Sequence, residues 1–247
     1  MPRTALITGV SRRAGIGFAV ARRLLDEGYA VAVHSWAPHD ARQPWGGDDL
    51  DAVLTALGDP PHVSADLAEP DAPARVMAHA TEALGRVDVL VANHARSAPG
   101  TLDDVTAAEL DAAWAVNARA TVLLVRAFAA QAVPPRDGRV VLFTSGQHLG
   151  PMADELAYAI SKGAVHQATR SLADTVAERG IAVNAVNPGP VDTGWADPVR
   201  LAATRERFPS GRWSRPEDVA GVVAWLASPG SGQLTGQVLD AEAGFRR

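Results

Sequence analysis

Tyr158 and Lys162 are the two residues whose types and spacing point most clearly to chemistry. They lie four positions apart in the segment 154–178, where apolar residues recur at helical spacing. Residues four apart share one face of a helix, so the phenol and the amine would point inward together. A nearby positive charge lowers the pKa of a tyrosine. The pair therefore predicts a group that gives or takes a proton, although Tyr158 alone would fit a core tyrosine bonded to the backbone.

Lys162 is also the only lysine in a sequence that holds 23 basic residues. Burying an unpaired ammonium costs free energy, so an inward-facing lysine needs a reason. Compositional bias together with chance is one explanation. The other is a site that requires an amine and not a guanidinium. The spacing from Tyr158 favours the second explanation.

Ser145 and Asn117 are candidate partners of this pair. Ser145 follows a strand predicted over 139–144, at the carboxyl edge of a sheet, where its hydroxyl could polarise a carbonyl group. Asn117 interrupts the apolar face of a helix predicted over 106–131. Its amide could anchor a water beside the lysine in a proton relay, or it could be a buried amide paired with the backbone at a kink. The spacing of the apolar residues does not separate these alternatives.

A second candidate site is the glycine-rich turn that follows the first predicted strand, 5–8. Gly9 and Gly15 precede a predicted helix and Gly17 lies in its first turn, so backbone N–H groups at the start of that helix could hold a phosphate. A plain tight loop is the alternative. The order of strand, turn and helix favours dinucleotide binding.

The end of the second predicted strand, 30–34, indicates which dinucleotide binds. Proteins that bind NAD usually carry an acidic residue there, whereas this strand is followed by Ser35 and Trp36. Arg12 and Arg13 lie in the glycine-rich turn, where a guanidinium could bind a 2′-phosphate. We therefore expect NADP(H) to be preferred. NAD(H) is the alternative if both arginines are only solvated loop charges.

The elements that must position these residues alternate along the chain. Short apolar runs typical of strands alternate with segments of helical periodicity, which indicates a parallel sheet with helices on both faces. The predicted strands cover 5–8, 30–34, 61–65, 87–92, 139–144, 181–187 and 237–240. The predicted helices cover 16–27, 50–57, 71–84, 106–131, 154–178 and 216–227, with a loop at 36–49 and a loop with a short helix at 190–214. We therefore predict an α/β fold, a Rossmann-type doubly wound parallel sheet of about seven strands in a single domain.

Composition argues against several other classes of protein. The 247 residues are 47% hydrophobic and 21% charged, as in a globular protein with a sizeable core. The sequence has no cysteine, which excludes disulfides and thiolate metal sites, and we expect no metal. A net charge of −5 without a long basic run argues against nucleic acid. No apolar window reaches the length of a membrane span and residues 2–7 lack signal-peptide features, so a cytoplasmic location is expected.

Together these motifs resemble those of the short-chain dehydrogenase/reductase family over nearly the whole chain. The turn from Thr8 to Gly17 is similar to the family's cofactor loop, and residues 187–193 are similar to the segment that closes over the nicotinamide. At the family's catalytic positions stand Asn117, Ser145, Tyr158 and Lys162. The resemblance implies hydride transfer between a nicotinamide and an alcohol or ketone carbon. It also implies a cofactor half over about 1–135 and a catalytic half over about 136–247.

The resemblance further implies which residues contact the two ligands. For the cofactor they are Gly9, Ser11, Arg12, Arg13, Gly15, Ile16, Gly17, Ser35, Asp66, Leu67, Asn93, Ala95, Tyr158, Lys162, Pro188, Gly189, Val191 and Thr193. For the substrate they are Ser145, Gln147, His148, Tyr158 and Trp195.

Three segments depart from the usual family pattern. The cofactor loop holds five residues between Gly9 and Gly15, more than is usual, and resembles that of a 3-oxoacyl-ACP reductase-like subgroup. His94 and Ala95 replace the alanine and glycine of the motif after the fourth strand. Residues 240–244 replace the usual Asp-Gly-Gly near the last strand, from which relatives often build a tetramer.

Several substrates and assemblies are consistent with this resemblance. A 3-oxoacyl thioester on an acyl carrier protein is one substrate, for which Arg136 and Arg179 would form a basic patch, although the acidic net charge argues against it. A small ketone or a secondary-metabolite ketone fits equally well. We expect a homo-oligomer, either a dimer or a tetramer. The alternative function is a non-catalytic cofactor sensor or scaffold, although such proteins typically lack the tyrosine and the lysine.

Overall fold

The computed structural model describes residues 2–97, 99–131, 133 and 137–247. The strands are β1 Thr4–Thr8, β2 Ala30–Ser35, β3 His62–Ser64, β4 Val89–Ala92, β5 Gly138–Phe143, β6 Ile181–Asn187 and β7 Val238–Asp240. Within the described residues these seven strands form one parallel sheet in the order β3-β2-β1-β4-β5-β6-β7. The predicted Rossmann-type fold is confirmed.

Helices cover both faces of this sheet. They are α1 Ile16–Asp26, α2 Ala37–Asp40, α3 Leu50–Ala56, α4 Ala72–Leu84, α5 Ala107–Ala113, α6 Ala120–Ala129, α7 Leu156–Val176, α8 Pro198–Glu206 and α9 Pro216–Ala227. Helices α4, α6 and α7 share a core with Leu6, Leu90 and Leu142, whereas α1 and α9 share the other core with Ile7 and Val91. Alternate strand residues therefore enter opposite cores, as a sheet buried on both faces requires.

The strand order changes direction beside β1. Strands β2 and β3 extend from one side of β1, whereas β4 to β7 extend from the other side. The connections that follow β1 and β4 therefore diverge and leave a crevice at the carboxyl edge of the sheet. Thr8 and Ala92 end the two strands that flank this crevice, and Phe143 and Asn187 end the next two strands.

The helix predicted over 106–131 is not continuous. It consists of α5, a π-helical turn over Trp114–Arg119, and α6. A π-turn adds one residue to a helical turn, and the apolar stripe does not reveal it because the stripe continues on both sides. Asn117 lies within this turn, which favours the alternative in which it marks a kink.

Two further element predictions need correction. The segment 36–49, predicted as a loop, contains α2, and Pro38 fits the first turn of that helix because the N–H that proline lacks has no partner there anyway. Strand β4 begins at Val89, two residues later than predicted. The preceding residue, Asp88, instead uses its carboxylate to accept hydrogen bonds from the backbone N–H and the hydroxyl of Thr4, each at 3.1 Å.

Most other elements begin and end within a few residues of their predicted bounds. The short helix expected within 190–214 is present as α8. Arg136, expected in a basic patch, lies outside the described residues. In the part of the chain that is described, no helix combines the length and the hydropathy that a membrane span needs.

Candidate active site

The glycine-rich turn packs tightly at the carboxyl end of β1. Gly9 has a φ of 75°, and a Cβ atom there would lie 2.8 Å from the Cα atom of His94. A Cβ atom on Gly17 would overlap the carbonyl oxygen of Gly9. Both positions therefore need glycine, which brings the backbone of the turn close to the start of α1. Backbone N–H groups in this arrangement can bind phosphate.

A cleft of about 300 Å³ opens beside this turn, in the crevice between β1 and β4. The side-chain amide of Asn93 donates to the carbonyl oxygens of Thr8 and Gly9, each at 3.1 Å, and so ties the end of β4 to the turn. The size of the cleft and its glycine cradle fit part of a dinucleotide. Ten predicted cofactor residues line it: Gly9, Ser11, Arg12, Gly15, Ile16, Asp66, Leu67, Asn93, Ala95 and Thr193.

Ser35 and Arg13 are among the predicted cofactor residues that do not line this cleft. Ser35 is fully buried and its hydroxyl pairs with Nε2 of His62 at 2.8 Å, because β3 lies beside the end of β2. Arg13 is exposed and is not among the residues that line the cleft. The cofactor contacts expected for Ser35 and Arg13 therefore stay predictions. Arg12 is the arginine of the turn that lines the cleft.

Among the polar residues of the cleft that escape prediction from the sequence are His39, Asp40 and Arg42. They lie on or next to α2, which is too short to show helical periodicity. The hydroxyl of Ser11 donates to the carboxylate of Asp40 and joins α2 to the glycine-rich turn. Asp40 therefore places a carboxylate in the cleft, although not at the end of β2, where NAD-binding proteins usually carry one.

Arg12 links two sides of the cleft. Its guanidinium donates to the carbonyl oxygen of Thr193 at 2.8 Å and lies 5.8 Å from the ring centroid of Trp45. Thr193 belongs to the segment after β6, which the family resemblance assigns to the nicotinamide end. Arg12 therefore connects the glycine-rich turn with that segment.

Tyr158 and Lys162 lie on α7 against the end of β5. Lys162 is 2% exposed, and its ammonium donates to the carbonyl oxygen of Phe143 at 2.8 Å. The same ammonium lies 5.7 Å from the ring centroid of Tyr158. The hydroxyl of Thr144 donates to the Lys162 carbonyl oxygen at 3.1 Å and holds α7 against β5. The structure thus brings the predicted pair together at the carboxyl edge of the sheet.

Burial changes the proton affinity of both groups. It lowers the pKa of Lys162 from 10.5 to about 8. It raises the pKa of Tyr158 from 10.0 to about 12, because burial outweighs the hydrogen bond with Ser145, and the Glu155 carboxylate adds to the rise. The net shift of the Tyr158 pKa is therefore opposite to the lowering expected from the Lys162 charge, because burial dominates. Tyr158 is a neutral phenol at neutral pH.

Ser145 lies just after β5, where its hydroxyl donates to the sulfur of Met152 at 4.0 Å and lowers the pKa of Tyr158. Gln147 turns back toward it, and its side-chain oxygen accepts from the Ser145 backbone N–H at 3.2 Å. The ring of His148 spans two groups, because its Nδ1 atom lies 3.3 Å from the Ser145 carbonyl oxygen and its Nε2 atom lies 3.0 Å from the carboxylate of Asp240 at the end of β7. Of these predicted substrate residues, Gln147 and His148 therefore both lie beside Ser145, and His148 also contacts β7.

Trp195 lies in the segment between β6 and α8. Its indole N–H donates to the carbonyl oxygen of Val191 at 3.1 Å, and its ring centroid lies 5.9 Å from that of Trp213. Val191 is buried, so the indole is fixed to the segment that follows β6. This position suits a residue that borders a substrate, as the family resemblance implies.

Asn117 is 1% exposed and its side-chain amide is fully engaged with protein groups. Its oxygen accepts from the Arg96 backbone N–H at 2.7 Å, and its nitrogen donates to the Arg96 carbonyl oxygen and to Ser161 Oγ, each at 2.8 Å. The hydroxyl of Ser161 in turn donates to the carbonyl oxygen of Tyr158 at 2.7 Å. The side chain of Asn117 therefore holds the segment after β4 against α7, which is the backbone-paired alternative.

The segment after β6 packs against a buried carboxylate. The amide of Asn187 donates to Asp240 and to Glu242, each at 2.8 Å. Gly189 has a φ of 63°, and a Cβ atom there would lie 2.8 Å from Cγ of Glu242. The carboxylate of Glu242 also pairs with Arg247. Glu242 thus replaces the usual glycine with a side chain that supports Gly189. Pro188 directly precedes Gly189 in the chain.

A doubly wound sheet with a glycine-lined cleft at its switch point defines a dinucleotide-binding α/β protein. Residues 9–246 match the family described as Enoyl-(Acyl carrier protein) reductase. The uncharacterized oxidoreductase YjdA of Bacillus subtilis (strain 168) is 37% identical over 99% of this chain and 97% of its own length. The short-chain reductase protein NovJ of Streptomyces niveus is 33% identical over 97% of this chain and 92% of its own.

Solved structures agree with these relatives. A blue fluorescent protein from a metagenomic library, in complex with NADPH, has a TM-score of 0.86 at 32% identity and covers 99% of this chain and 98% of its own. BdcA in complex with NADPH has a TM-score of 0.85 at 31% identity, and the match covers 99% of this chain and 94% of the BdcA chain. The chain belongs to the short-chain dehydrogenase/reductase family. It is an NAD(P)-dependent oxidoreductase.

Proposed function

We propose that this oxidoreductase interconverts a ketone and a secondary alcohol, with NADP(H) as the preferred cofactor. The observation that carries the proposal is the pairing of Tyr158 with the buried Lys162 beside Ser145. The glycine-rich turn and the cleft beside it would hold the dinucleotide. When bound, the dinucleotide supplies or accepts the hydride.

In the direction of reduction, Tyr158 gives its proton to the carbonyl oxygen of the substrate. A carbonyl carbon that gains a hydride leaves an electron pair on its oxygen, and this oxygen needs a proton. The raised pKa of about 12 keeps the phenol of Tyr158 protonated for this step. Lys162 places a positive charge near the phenolate that results. Ser145 donates a hydrogen bond to the carbonyl oxygen of the substrate. In the direction of oxidation, Tyr158 takes the alcohol proton.

The preference for NADP(H) rests on the basic side chains of the cleft. Arg12 and Arg42 border it, and a guanidinium binds a 2′-phosphate better than it binds a ribose hydroxyl. Two similar solved structures were determined in complex with NADPH. Asp40 is the observation that favours NAD(H), since a carboxylate in the cleft could accept from a ribose hydroxyl. The ratio of kcat/KM for NADPH and NADH separates the two cofactors.

Two classes of ketone are candidate substrates. The matched family is described as Enoyl-(Acyl carrier protein) reductase, which supports an acyl thioester on a carrier protein, and the 3-oxoacyl thioester is the member of that class that carries a ketone. A small or secondary-metabolite ketone is the second class, and the relative NovJ, a short-chain reductase by name, is consistent with either class. In the expected basic patch, Arg179 donates to the carbonyl oxygen of Ala129 at 3.1 Å, so part of its guanidinium is engaged within the protein.

The test uses the purified protein with NADPH and a panel of ketones that includes a 3-oxoacyl thioester. The loss of absorbance of the reduced cofactor measures turnover, and tryptophan fluorescence measures NADPH binding. We expect turnover of at least one ketone, and we expect Tyr158→Phe to lower kcat by about 100-fold or more while NADPH affinity stays within about threefold.

The matched control is Tyr29→Phe, because the Tyr29 hydroxyl donates to the carbonyl oxygen of Ala227 at 3.3 Å, away from the cleft. This variant should keep the activity of the unaltered protein. Binding of NADPH without consumption across the whole panel would favour the sensor alternative. A near-normal rate for Tyr158→Phe would refute the proton-donor role. Sedimentation of the same samples tests the expected dimer or tetramer.

A further inference from the structure

His94 occupies a position that joins two parts of the site. It follows Asn93 after β4 and is 6% exposed, so its ring is enclosed by protein. Its Nδ1 atom lies 2.7 Å from the hydroxyl oxygen of Thr8, at the end of β1. Its Nε2 atom lies 3.1 Å from the carbonyl oxygen of Val116, in the π-helical turn. One imidazole therefore spans the distance between the glycine-rich turn and the turn that carries Asn117.

The two contacts define a single tautomer of the His94 ring. A carbonyl oxygen only accepts, so Nε2 must carry the hydrogen that is donated to Val116. Nδ1 is then the acceptor, and the hydroxyl of Thr8 donates to it. The other acceptor near this hydroxyl, the Val91 carbonyl oxygen, is farther away at 3.3 Å. Burial, with smaller contributions from His34 and Lys162, lowers the pKa of His94 to about 3, so the ring is neutral in the working range of pH.

At its Thr8 end, this contact supports the backbone that would bind phosphate. Thr8 directly precedes Gly9, and a Cβ atom on Gly9 would lie 2.8 Å from the Cα atom of His94. The backbone N–H of His94 also donates to the Thr8 hydroxyl at 3.3 Å. The turn is therefore packed directly against His94 and hydrogen-bonded to it, so a displacement of the ring would move Thr8 and Gly9.

At its Val116 end, the contact leads to the catalytic helix. Val116 precedes Asn117, whose amide donates to Ser161, and Ser161 donates to the carbonyl oxygen of Tyr158. Each link is a hydrogen bond between buried or partly buried groups, where losing a partner is costly. A continuous path of contacts therefore runs from the dinucleotide turn to the residue that would transfer the proton.

We propose that His94 is a positioning residue that couples the dinucleotide-binding turn to the catalytic helix. The family usually has alanine at this position, so the coupling is a property of this chain's own histidine. The proposal rests on the function proposed above, because it assigns His94 to the same site. It requires that loss of the ring affect both cofactor binding and turnover.

Three substitutions at this position separate the two contacts. His94→Gln places an amide nitrogen near the position of Nε2 and can still donate to Val116. His94→Asn places an amide oxygen near the position of Nδ1 and can still accept from Thr8. His94→Ala removes both contacts and leaves a cavity. Thr8→Val removes only the hydroxyl and keeps the histidine.

Each variant is tested with two readouts that respond to different ends of the path. The dissociation constant for NADPH, from tryptophan fluorescence, reports the turn, and kcat at saturating NADPH reports the catalytic helix. We expect His94→Ala to weaken NADPH binding about tenfold and to lower kcat about tenfold. His94→Asn should restore mainly the binding, and His94→Gln should restore mainly kcat. Thr8→Val should weaken binding more than it lowers kcat.

Phe128→Leu is the control for a general loss of stability, because Phe128 is fully buried in the core away from the cleft. It should lower the midpoint of thermal unfolding without changing the ratio of the two readouts. If His94→Ala does not fold, the Asn, Gln and Thr8→Val variants still carry the test. Equal recovery of both readouts in the Asn and Gln variants, or no change in either readout in any variant, would overturn the coupling. Failure of the unaltered protein to bind NADPH or reduce any ketone would instead refute the proposed function.

Discussion

The ammonium of Lys162 donates a hydrogen bond to the carbonyl oxygen of Phe143, the last residue of β5, at 2.8 Å. In the described part of the chain this is the one hydrogen bond that the ammonium makes. An ammonium has three donors, so two remain for a ligand. The sheet therefore supplies a fixed anchor for the lysine and leaves most of its hydrogen-bonding capacity to the site.

Replacing this lysine should remove activity and increase stability. Burial lowers the pKa of Lys162 from 10.5 to about 8, which corresponds to a cost of about 3 kcal/mol for keeping the charged group inside the folded protein. Lys162→Met removes that charge at similar volume. We expect the free energy of unfolding at pH 7 to rise by about 1–3 kcal/mol. The gain is smaller than the full cost of burying the charge, because the Phe143 carbonyl loses its partner. We expect kcat to fall by about 100-fold or more.

The gain in stability from Lys162→Met should depend on pH in one direction. Between pH 8 and pH 10.5 the unfolded chain holds the lysine proton and the folded protein releases it, so the unaltered protein becomes more stable as pH rises. The difference between the two proteins should shrink from pH 7 to pH 10. Tyr158, with a raised pKa of about 12, keeps its proton in both states over most of this range. Denaturant unfolding at both pH values checks this, and a constant difference would contradict it.

Gly9 should be far less tolerant of substitution than another glycine of similar conformation. Gly9 and Gly28 have φ values of 75° and 84°, so alanine is strained at both. A Cβ atom at Gly9 would meet His94, whereas nothing lies within 4 Å of one at Gly28. Gly9→Ala should raise the dissociation constant for NADPH about tenfold or more. Gly28→Ala should cost about 1 kcal/mol of stability and leave cofactor binding unchanged. Fluorescence titration and thermal unfolding measure the two effects, and equal NADPH binding by both variants would contradict the assignment of the turn.

The parallel sheet and its approximate strand bounds follow from sequence patterns. The segments 87–92 and 181–187 are predominantly apolar, as strands covered on both faces require. The candidate residues could also be found, because Ser145 follows a strand and the glycines lie between a strand and a helix. Chemistry at the carboxyl edge of a parallel sheet is a property of the topology, which the alternation of elements already specifies.

What the sequence does not reveal depends on tertiary packing. Ser35 ends β2, one residue beyond the predicted strand, and its hydroxyl pairs with His62 on the neighbouring strand. A pattern within one segment carries no information about such pairing. The raised pKa of Tyr158 reflects burial, which outweighs the influence expected from Lys162. The π-turn at Trp114–Arg119 leaves the apolar stripe intact, so periodicity does not detect it.

Arg12 and Arg13 should differ in their effect on cofactor choice. Arg12 lines the cleft and donates to Thr193, whereas Arg13 is exposed and is not part of the lining. Arg12→Ala should lower kcat/KM for NADPH by about 10-fold to 100-fold and change kcat/KM for NADH much less, because a charge-assisted contact with a 2′-phosphate is lost. Arg13→Ala is the matched control and should change neither value by more than about twofold. Equal losses with both cofactors would indicate that Arg12 acts only through Thr193.

Glu242 should support the cofactor through the segment that follows β6. Its carboxylate accepts from Asn187, pairs with Arg247 and packs against Gly189, and the residue is 7% exposed. Glu242→Gln keeps the size of the side chain and removes its charge. Since Arg247 then loses its ionic partner, we expect the free energy of unfolding to fall by about 1–3 kcal/mol.

The same substitution should affect cofactor binding more than chemistry. A shift of Gly189 would disturb the segment assigned to the nicotinamide end, so KM for NADPH should rise by about threefold to tenfold while kcat changes less. Glu178→Gln is the control, because Glu178 is an exposed glutamate in the turn Ala177–Arg179, which follows the C-terminal end of α7. Denaturant unfolding and initial-rate kinetics on both variants decide the matter. If Glu242→Gln matched Glu178→Gln in stability and in KM, the buried carboxylate would have no part in holding the Asn187–Gly189 backbone.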